Sequence, residues 1–377
     1  AAVEKDINKT LGKDINVKWH LTLSVNVMSA EVTYRDIKSI LEVKDVLSVQ
    51  RENRYEALTD EGGTAEPNTA LTSEHMVGAQ AAWADGYTGA GQRVAIIDTG
   101  ADIDHQSFNS AAFDYAIQKY EDKFDQTVDL MDASDIEAVA GDLNGAGVYL
   151  NTKMPYTYNY VDADTDVTHI HDTEGEHGSH VAGIAAANRY IPDGDSFVDT
   201  LDGTYAVGMA PDAQLLVMKV FGKNGGAYDS DYIAAIEDSI VLDCDSCNLS
   251  LGSASAGFTY DNVYQDSMNK LISSNTVAAI SAGNSNPWNA ANAPYGMLYG
   301  ENTIFNTVGS PGSYINAFTV AAAQNVGVTG SPFLFGDEKV YYTETDSTGA
   351  AMATLDKSAD GTGTEYDFVY IDGKGFK

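Results

Sequence analysis

The sequence has 377 residues, of which 44% are hydrophobic, and its formal net charge at pH 7 is −34. A chain of this size can bury at least one large core, and we expect one large domain with one or two small ones. The charge argues against nucleic-acid binding, because phosphates would be repelled over most of the surface, and it favours a cation such as calcium as a companion. No apolar run reaches the roughly 18 residues of a membrane span, and the first residues, AAVEKDINKT, lack the regions of a signal peptide.

Residues 1–57 predict a small α/β unit. It contains a half-buried strand in KWHLTLSVNVMSAEV, a helix in TYRDIKSILEV with Thr33 as its N-cap, and a second strand in VLSVQRENRY. Because so short a segment cannot build an independent core, we expect it to pack on something larger. Residues 58–71, rich in Gly, Pro, Thr and acidic residues, indicate a linker.

Residues 72–330 alternate between apolar strands and amphipathic helices. Successive segments are RVAIID, HGSHVAGIAAANR, AQLLVMKVF, SDYIAAIEDSIVLD, SCNLSLG, YQDSMNKLISSN, TVAAISAGN and AFTVAAA. This pattern predicts an α/β fold, a parallel β-sheet flanked by helices, with ligand chemistry at the carboxyl ends of the strands. The acidic stretch between Phe108 and Thr168 has weak periodicity, and we expect surface excursions there. Residues 331–377, with runs such as KVYYTET and YDFVYIDGK, predict the start of another, mostly β, unit.

Three polar residues stand where such a fold places catalytic groups. Asp98 ends the strand RVAIID, His177 opens a helix beside Gly178, and Asn284 follows a strand and Gly283. An Asp–His pair can act as a general base with its orienting carboxylate, and an Asn amide can donate to an oxyanion. Taken singly, Asp98 and Asn284 also fit ordinary turn residues.

The stretch HIHDTEGEHGSH holds four histidines, which raises the question of a zinc site. Between His177 and His180 there is no glutamate, and their spacing differs from the H-E-x-x-H pattern of zinc helices. We therefore favour His177 as a catalytic base, His180 as a packing or structural residue, and His169 and His171 as loop residues.

Two further clusters have a metal interpretation. Asp162, Asp164 and Asp166 are spaced like a calcium loop but lack the glycine and final acidic residue of an EF-hand, so the alternative is a solvated acidic turn. Cys244 and Cys247 have C-x-x-C spacing, yet no further zinc ligands are evident, and we expect small buried residues beside a strand.

Four motifs, in this order, resemble those of the subtilisin-like serine proteases. They are VAIIDTGADIDH, HGSHVAG, NLSLG and AISAGNS, and the resemblance extends from about residue 72 to residue 323. Within that family the chain is similar to the large cell-envelope proteinases of Gram-positive bacteria, of the lactocepin and complement-cleaving peptidase type. The tail from Ser331 resembles the start of their inserted protease-associated β domain, and residues 1–57 resemble the inhibitory propeptide without its first strand.

The resemblance implies roles for individual residues. Asp98 would be the orienting carboxylate, His177 the general base and Asn284 the oxyanion donor. Two strands would pair with the substrate backbone, and residues 282–284 would form part of the wall of the primary specificity pocket. The residues implied to bind substrate are Gly225, Gly226, Ser250, Leu251, Gly252, Ala282 and Gly283.

One element of the family's pattern is absent from this sequence. The family's nucleophile lies in a G-T-S-M-A-x-P motif beyond the Asn segment, and the run STGAAMA near Ala351 lacks both its order and its proline. Without a serine only a small residual catalysis remains. We therefore expect either a second chain from the same precursor that carries the serine, or a truncated sequence; the end at DGKGFK fits processing at an exposed loop.

The functional expectation is a secreted or cell-surface serine endopeptidase with structural calcium and no organic cofactor. The alternative is a non-catalytic protein that kept the peptide groove and lost the nucleophile.

Overall fold

The structure is a computed structural model that describes residues 2–52, 54–57, 70–202, 207–252, 262–283, 308–323, 332–335 and 338–341. The chain divides into two compact units, Ala1–Thr59 with Ala70–Val326 and Asp60–Thr69 with Gly327–Lys377. The first unit combines the predicted N-terminal segment with the predicted sheet domain. The finer division at residues 57, 71 and 330 stays a prediction.

The N-terminal segment contains two helices and three strands. They are α1 (Ala2–Leu11), β1 (Asn16–Leu21), β2 (Val27–Glu31), α2 (Ile37–Leu41) and β3 (Arg54–Ala57). Thr33 begins the helical region as predicted, and its hydroxyl donates to the Asp36 carboxylate at 2.7 Å.

Both predicted strands of this segment need correction. The first is an antiparallel hairpin, β1 with β2, because residues 22–26 turn the chain back on itself. The second lies further along: residues 46–50 form no strand, and pairing begins only at Arg54. The apolar run that suggested a strand instead contributes Val46 and Val49 to a small cluster around Ile7 and Ile40.

The N-terminal segment packs on a helix of the sheet domain, as expected for a unit too small to stand alone. Trp19 Nε1 donates to Asp231 Oδ1 at 2.7 Å, and Lys18 forms an ion pair with the same carboxylate. The hairpin turn is held in a similar way, since the backbone N–H groups of Leu23 and Ser24 donate to Glu237 Oε1. The N-terminal segment is therefore held by two buried carboxylates of the helix Asp229–Val241.

The rest of the first unit alternates between helices and strands. In chain order the elements are α3 (Ala70–Val77), α4 (Ala79–Ala84), β4 (Arg93–Asp98), α5 (Ser110–Phe124), α6 (Ala133–Val139), β5 (Tyr156–Asn159), α7 (His177–Ala186), β6 (Tyr190–Asp193), β7 (Ser196–Asp199), β8 (Gln214–Lys219), β9 (Ala227–Tyr228), α8 (Asp229–Val241), β10 (Ser246–Leu249), β11 (Leu251–Gly252), α9 (Asn262–Ser273), β12 (Val277–Ser281) and β13 (Phe318–Val320).

Six of these strands form one parallel sheet in the order β13-β12-β10-β4-β8-β5. Alternate residues of β4 enter two different cores: Ala95 and Ile97 pack with α8, whereas Ile96 packs with α7. Because side chains of a strand point alternately to opposite faces, this division means that helices cover both faces. The predicted α/β fold with a parallel sheet is confirmed.

The stretch between Phe108 and Thr168 is not a set of surface excursions, so that prediction is wrong. It contains α5, α6 and β5, the edge strand of the parallel sheet. The periodicity was obscured because β5 is built from Tyr and Thr rather than from aliphatic residues. The Tyr160 side chain just after it is fully buried, and its hydroxyl donates to Asp238 at 2.7 Å.

In the second unit the described residues form an antiparallel hairpin of β14 (Pro332–Phe335) and β15 (Glu338–Tyr341). This agrees with the β-like run KVYYTET, whereas YDFVYIDGK lies outside the described residues. Within the described ranges, no helix is both long and apolar enough to cross a bilayer.

Candidate active site

A carboxylate and an imidazole meet at the carboxyl end of the central strand β4. Asp98 is fully buried, and its Oδ1 lies 2.7 Å from His177 Nδ1. Since a carboxylate only accepts, the Nδ1–H is the donor. The same oxygen accepts the Thr99 backbone N–H at 2.7 Å. With its proton fixed on Nδ1, a neutral His177 presents Nε2 as the basic nitrogen.

Glycine allows the imidazole to reach the strand tip. A methyl group added at Gly178, the second residue of α7, would overlap the Gly100 carbonyl group. The close approach that glycine permits is held by a hydrogen bond, in which the Gly178 N–H donates to Thr99 Oγ1 at 2.9 Å. The first turn of α7 therefore lies directly against the turn that follows Asp98, and His177 is held at this contact.

A buried ion pair anchors the loop before α7 to the same strand tips. Lys219, opposite Asp98 in the pairing of β8 with β4, donates from Nζ to the Thr99 carbonyl oxygen and to Asp172 Oδ2, the latter at 2.5 Å. Both side chains of this pair are only 2% exposed. Lys219 is a site residue that was not predicted from the sequence, although a lysine within the apolar run AQLLVMKVF is a signal for a buried charge with a partner.

Strand β3 lies between the edges of β9 and β11, and we call the space between these two edges the groove. β3 is the central strand of a three-stranded antiparallel sheet, with β11 on one side and β9 on the other. Glu56 pairs with Gly252, and Ala57 pairs with Leu251. Ser250 directly precedes β11, and Gly225 and Gly226 directly precede β9. Of the residues predicted to pair with a substrate backbone, Leu251 and Gly252 pair with β3, whereas Gly225, Gly226 and Ser250 adjoin the residues that pair with it.

The family of this chain follows from comparison with known proteins. The model of the subtilase family matches residues 89–369, which include the Asp98–His177 pair and both groove strands. The chain belongs to the subtilase family. The predicted membership is thereby confirmed, and the parallel sheet fits it.

Three relatives illustrate the similarity. The chain is 31% identical over 363 residues to the PIII-type proteinase of Lactococcus lactis subsp. cremoris (strain SK11), which covers 93% of this chain and 16% of that protein. It is 29% identical over 309 residues to the minor extracellular protease Vpr of Bacillus subtilis (strain 168), a match that covers 78% of this chain and 29% of that protein. It is 28% identical over 238 residues to the C5a peptidase of Streptococcus pyogenes serotype M3, a match that covers 62% of this chain and 18% of that protein. This subtilase chain spans less than a third of the length of each of these three.

The predicted pocket wall lies at the end of β12 in the subtilase sheet. The Ala282 N–H donates to the Val320 carbonyl oxygen at 2.8 Å, and Gly283 has a positive φ of 92°. The Ser281 hydroxyl, one residue earlier, donates to the Leu251 carbonyl oxygen at 3.2 Å, which connects β12 to the groove. Asn284 lies outside the described residues, so its role as oxyanion donor stays a prediction.

Two other histidines of this stretch, His169 and His171, form separate polar contacts. His169 is largely buried, with Nε2 3.2 Å from both Ser179 Oγ and Glu176 Oε2. His171 contacts Asp166 at 3.0 Å. In the part of the chain that the structure describes, no three His, Cys, Asp or Glu side chains are arranged to hold a metal ion.

The three aspartates of the predicted calcium loop have different partners in this subtilase. Asp162 Oδ2 accepts from the Lys223 backbone N–H, and Asp164 is 3.5 Å from Lys223 Nζ. The Thr168 hydroxyl, followed by His171, lowers the pKa of Asp166 to about 2. The three carboxylates therefore contact different partners in this arrangement. The site stays a prediction.

Cys244 and Cys247 are free and buried. Burial raises the pKa of the Cys244 thiol well above its ordinary value, and it raises the pKa of Cys247 to about 12. Since the thiolate is the form that binds metal and attacks disulfides, these neutral thiols suit packing. The prediction of small buried residues beside a strand is confirmed.

Proposed function

We propose that this chain is part of a serine endopeptidase that works at the cell envelope or outside the cell. The observation that carries the proposal is the 2.7 Å contact between His177 Nδ1 and Asp98 Oδ1 beside a groove that holds an extended segment. Support comes from the relatives, which are named as proteinases and peptidases, one of them extracellular.

In the proposed mechanism a serine from outside this sequence, on a second chain of the same precursor or further along the same polypeptide, supplies the nucleophile. Its Oγ attacks the scissile carbonyl carbon while His177 Nε2 takes the hydroxyl proton. Asp98 holds the imidazole and stabilises the imidazolium that forms. Asn284 and a backbone N–H donate to the oxyanion. His177 then gives the proton to the leaving amine, and a water molecule releases the acyl group by the reverse steps.

The groove would select extended backbone rather than a particular sequence. A peptide added between two strand edges is held by main-chain hydrogen bonds, which every residue except proline can make. The strand pairing of β9 and β11 with β3 supports this mode of binding. We further propose that residues 1–57 act as a propeptide, because β3 occupies the position that a substrate would need.

A fluorophosphonate probe tests the proposal on the full-length gene product or its complex. The probe reacts only with a serine activated by its base, so we expect one labelled serine, on a segment outside these 377 residues. His177→Ala should abolish labelling without changing the circular dichroism spectrum. A folded full-length protein that takes up no probe, before and after removal of residues 1–57, would contradict the endopeptidase function. That outcome would favour the non-catalytic peptide-binding alternative.

A further inference from the structure

Two consecutive glycines before β9 lie in close contact with two side chains of opposite charge. Gly225 and Gly226 have positive φ angles of 73° and 81°. A methyl group added at Gly226 would overlap the guanidinium group of Arg54, whose Nη2 would be 2.8 Å from it. A methyl group at Gly225 would overlap a carboxylate oxygen of Glu174 and lie 3.5 Å from Arg54 Nη2. The guanidinium and the carboxylate therefore approach one point.

The two side chains and the two glycines come from three separate parts of the chain. Arg54 is the first residue of β3, the segment that fills the groove, and it pairs with Tyr228 of β9. Glu174 belongs to the loop that ends at His177, and Asp172 in the same loop is fixed by Lys219. The Glu174 backbone N–H donates to Asp172 Oδ1 at 3.1 Å, so the loop that carries this carboxylate is anchored to the body of the protein. The Arg54 cation, in contrast, belongs to the strand that occupies the groove.

We propose that Glu174 and the flat surface of Gly225 and Gly226 form a subsite for an arginine side chain of the substrate, at the position that Arg54 fills here. The proposal rests on the proposed function and deepens it, because it adds a side-chain preference to a groove that otherwise reads backbone. The absence of Cβ atoms leaves room for the planar guanidinium on the glycine backbone. Arginine fits this shape better than lysine, whose ammonium group is compact and more strongly hydrated.

The net charge of −34 would favour any cation near the surface, so a test has to separate local from general attraction. Glu176 is the matched control. It lies two residues from Glu174 in the same loop, is 67% exposed, and contacts His169 and Ser179. Glu174→Gln and Glu176→Gln remove the same charge from nearly the same place, but only the first removes the carboxylate beside Gly225.

The first experiment measures hydrogen exchange of the β3 and β11 amides in the 377-residue chain and requires no catalysis. We expect Arg54→Ala and Glu174→Gln each to speed exchange by about fivefold, the upper range for an exposed ion pair. The double variant should exchange no faster than either single variant, and Glu176→Gln should leave the rates unchanged. Independent effects that multiply in the double variant would overturn the proposal.

The second experiment measures kcat/KM of the full-length enzyme, with residues 1–57 removed, on acetylated peptides of sequence RYEALTDE with Arg, Lys, Ala or Glu first. We expect the order Arg, Lys, Ala, Glu, and we expect Glu174→Gln to reduce the Arg-to-Ala ratio about fivefold without changing the rate for the Ala peptide. An unchanged ratio in Glu174→Gln would overturn the proposal and leave the endopeptidase function intact. Coupling in the exchange experiment without cleavage of any peptide would contradict the function and leave the subsite standing.

Discussion

The catalytic pair and the groove lie side by side but are built on different principles. At the tip of β4 every contact depends on a particular side chain: an aspartate, a histidine, a lysine and the missing side chain of Gly178. In the groove, β9 and β11 hold β3 through strand pairing of the main chain. The first region should therefore fail on single substitutions, whereas the second should tolerate most of them.

The largest expected effect tests the side-chain region. In the full-length enzyme, Asp98→Asn should lower kcat about 10⁴-fold, because the Asn amide favours the tautomer that leaves Nε2 without its lone pair. Stopped assays with a chromogenic peptide would measure it, and probe labelling should slow in parallel. Thermal unfolding should change little. A loss of less than tenfold would mean that the Nδ1–Oδ1 contact does not orient the base.

The next effect concerns the ion pair behind the catalytic residues. Lys219→Met should lower the free energy of unfolding by about 3–5 kcal/mol, because it leaves the buried Asp172 carboxylate without its cation. Urea unfolding measures the loss. Lys223→Met is the control, since the ion pair of Lys223 and Asp164, whose side chains are 47% and 38% exposed, should contribute under about 1 kcal/mol.

A double variant separates pairing from packing at this site. Adding Asp172→Asn to Lys219→Met should restore part of the stability, because no unpaired charge then remains buried. If the double variant were as unstable as the sum of both single variants, the two residues would be acting independently and the loop would be anchored in another way.

The sequence was most informative where function depends on side chains. Asp98 and His177 could be predicted because each lies at the end of a clear strand or the start of a clear helix, in a recognisable motif. Lys219 could not be predicted in the same way, because its strand shows only an apolar pattern. Its role depends on the distant Asp172, and no local pattern connects the two.

The groove was harder to predict for a physical reason. The run VLSVQ looks like a strand and is none, whereas RYEA, which is short and polar, forms β3. The pairing of β3 comes from the two strand edges on either side of it, so tertiary structure overrides its own propensity. The edge strand β5 could not be predicted for the same reason, because contacts with distant parts of the fold bury its tyrosines.

A buried carboxylate outside both regions should make the stability of the fold depend on pH. Burial raises the pKa of Asp238, under the sheet, to about 6 from an ordinary value of 3.8. The folded state thus keeps a proton that the unfolded chain releases, so stability should fall as pH rises from about 4 to 6 and then level off. The fall is at most about 3 kcal/mol. Other carboxylates with lowered pKa values, such as Asp166, act in the opposite direction.

Asp238→Asn isolates this contribution. Urea unfolding between pH 4 and 7 should show that the difference in stability between the parent protein and the variant changes with pH by up to about 3 kcal/mol. A part of that difference that does not change with pH would come from the altered hydrogen bonds with Asn144 and Gly145. A difference that is flat with pH would mean that folding does not change the pKa of Asp238.

The smallest effects test the main-chain region. Glu56 lies in the central strand of the groove sheet, opposite Gly252. Glu56→Pro removes a donor and restricts φ, and we expect it to weaken the strand by about 2 kcal/mol, seen as faster hydrogen exchange at Leu251 and Gly252. Glu56→Gln keeps the backbone and should change exchange by less than about 0.5 kcal/mol. If the glutamine variant released β3 as fully as proline, side-chain contacts would hold the groove, and it would be no different from the catalytic pair beside it.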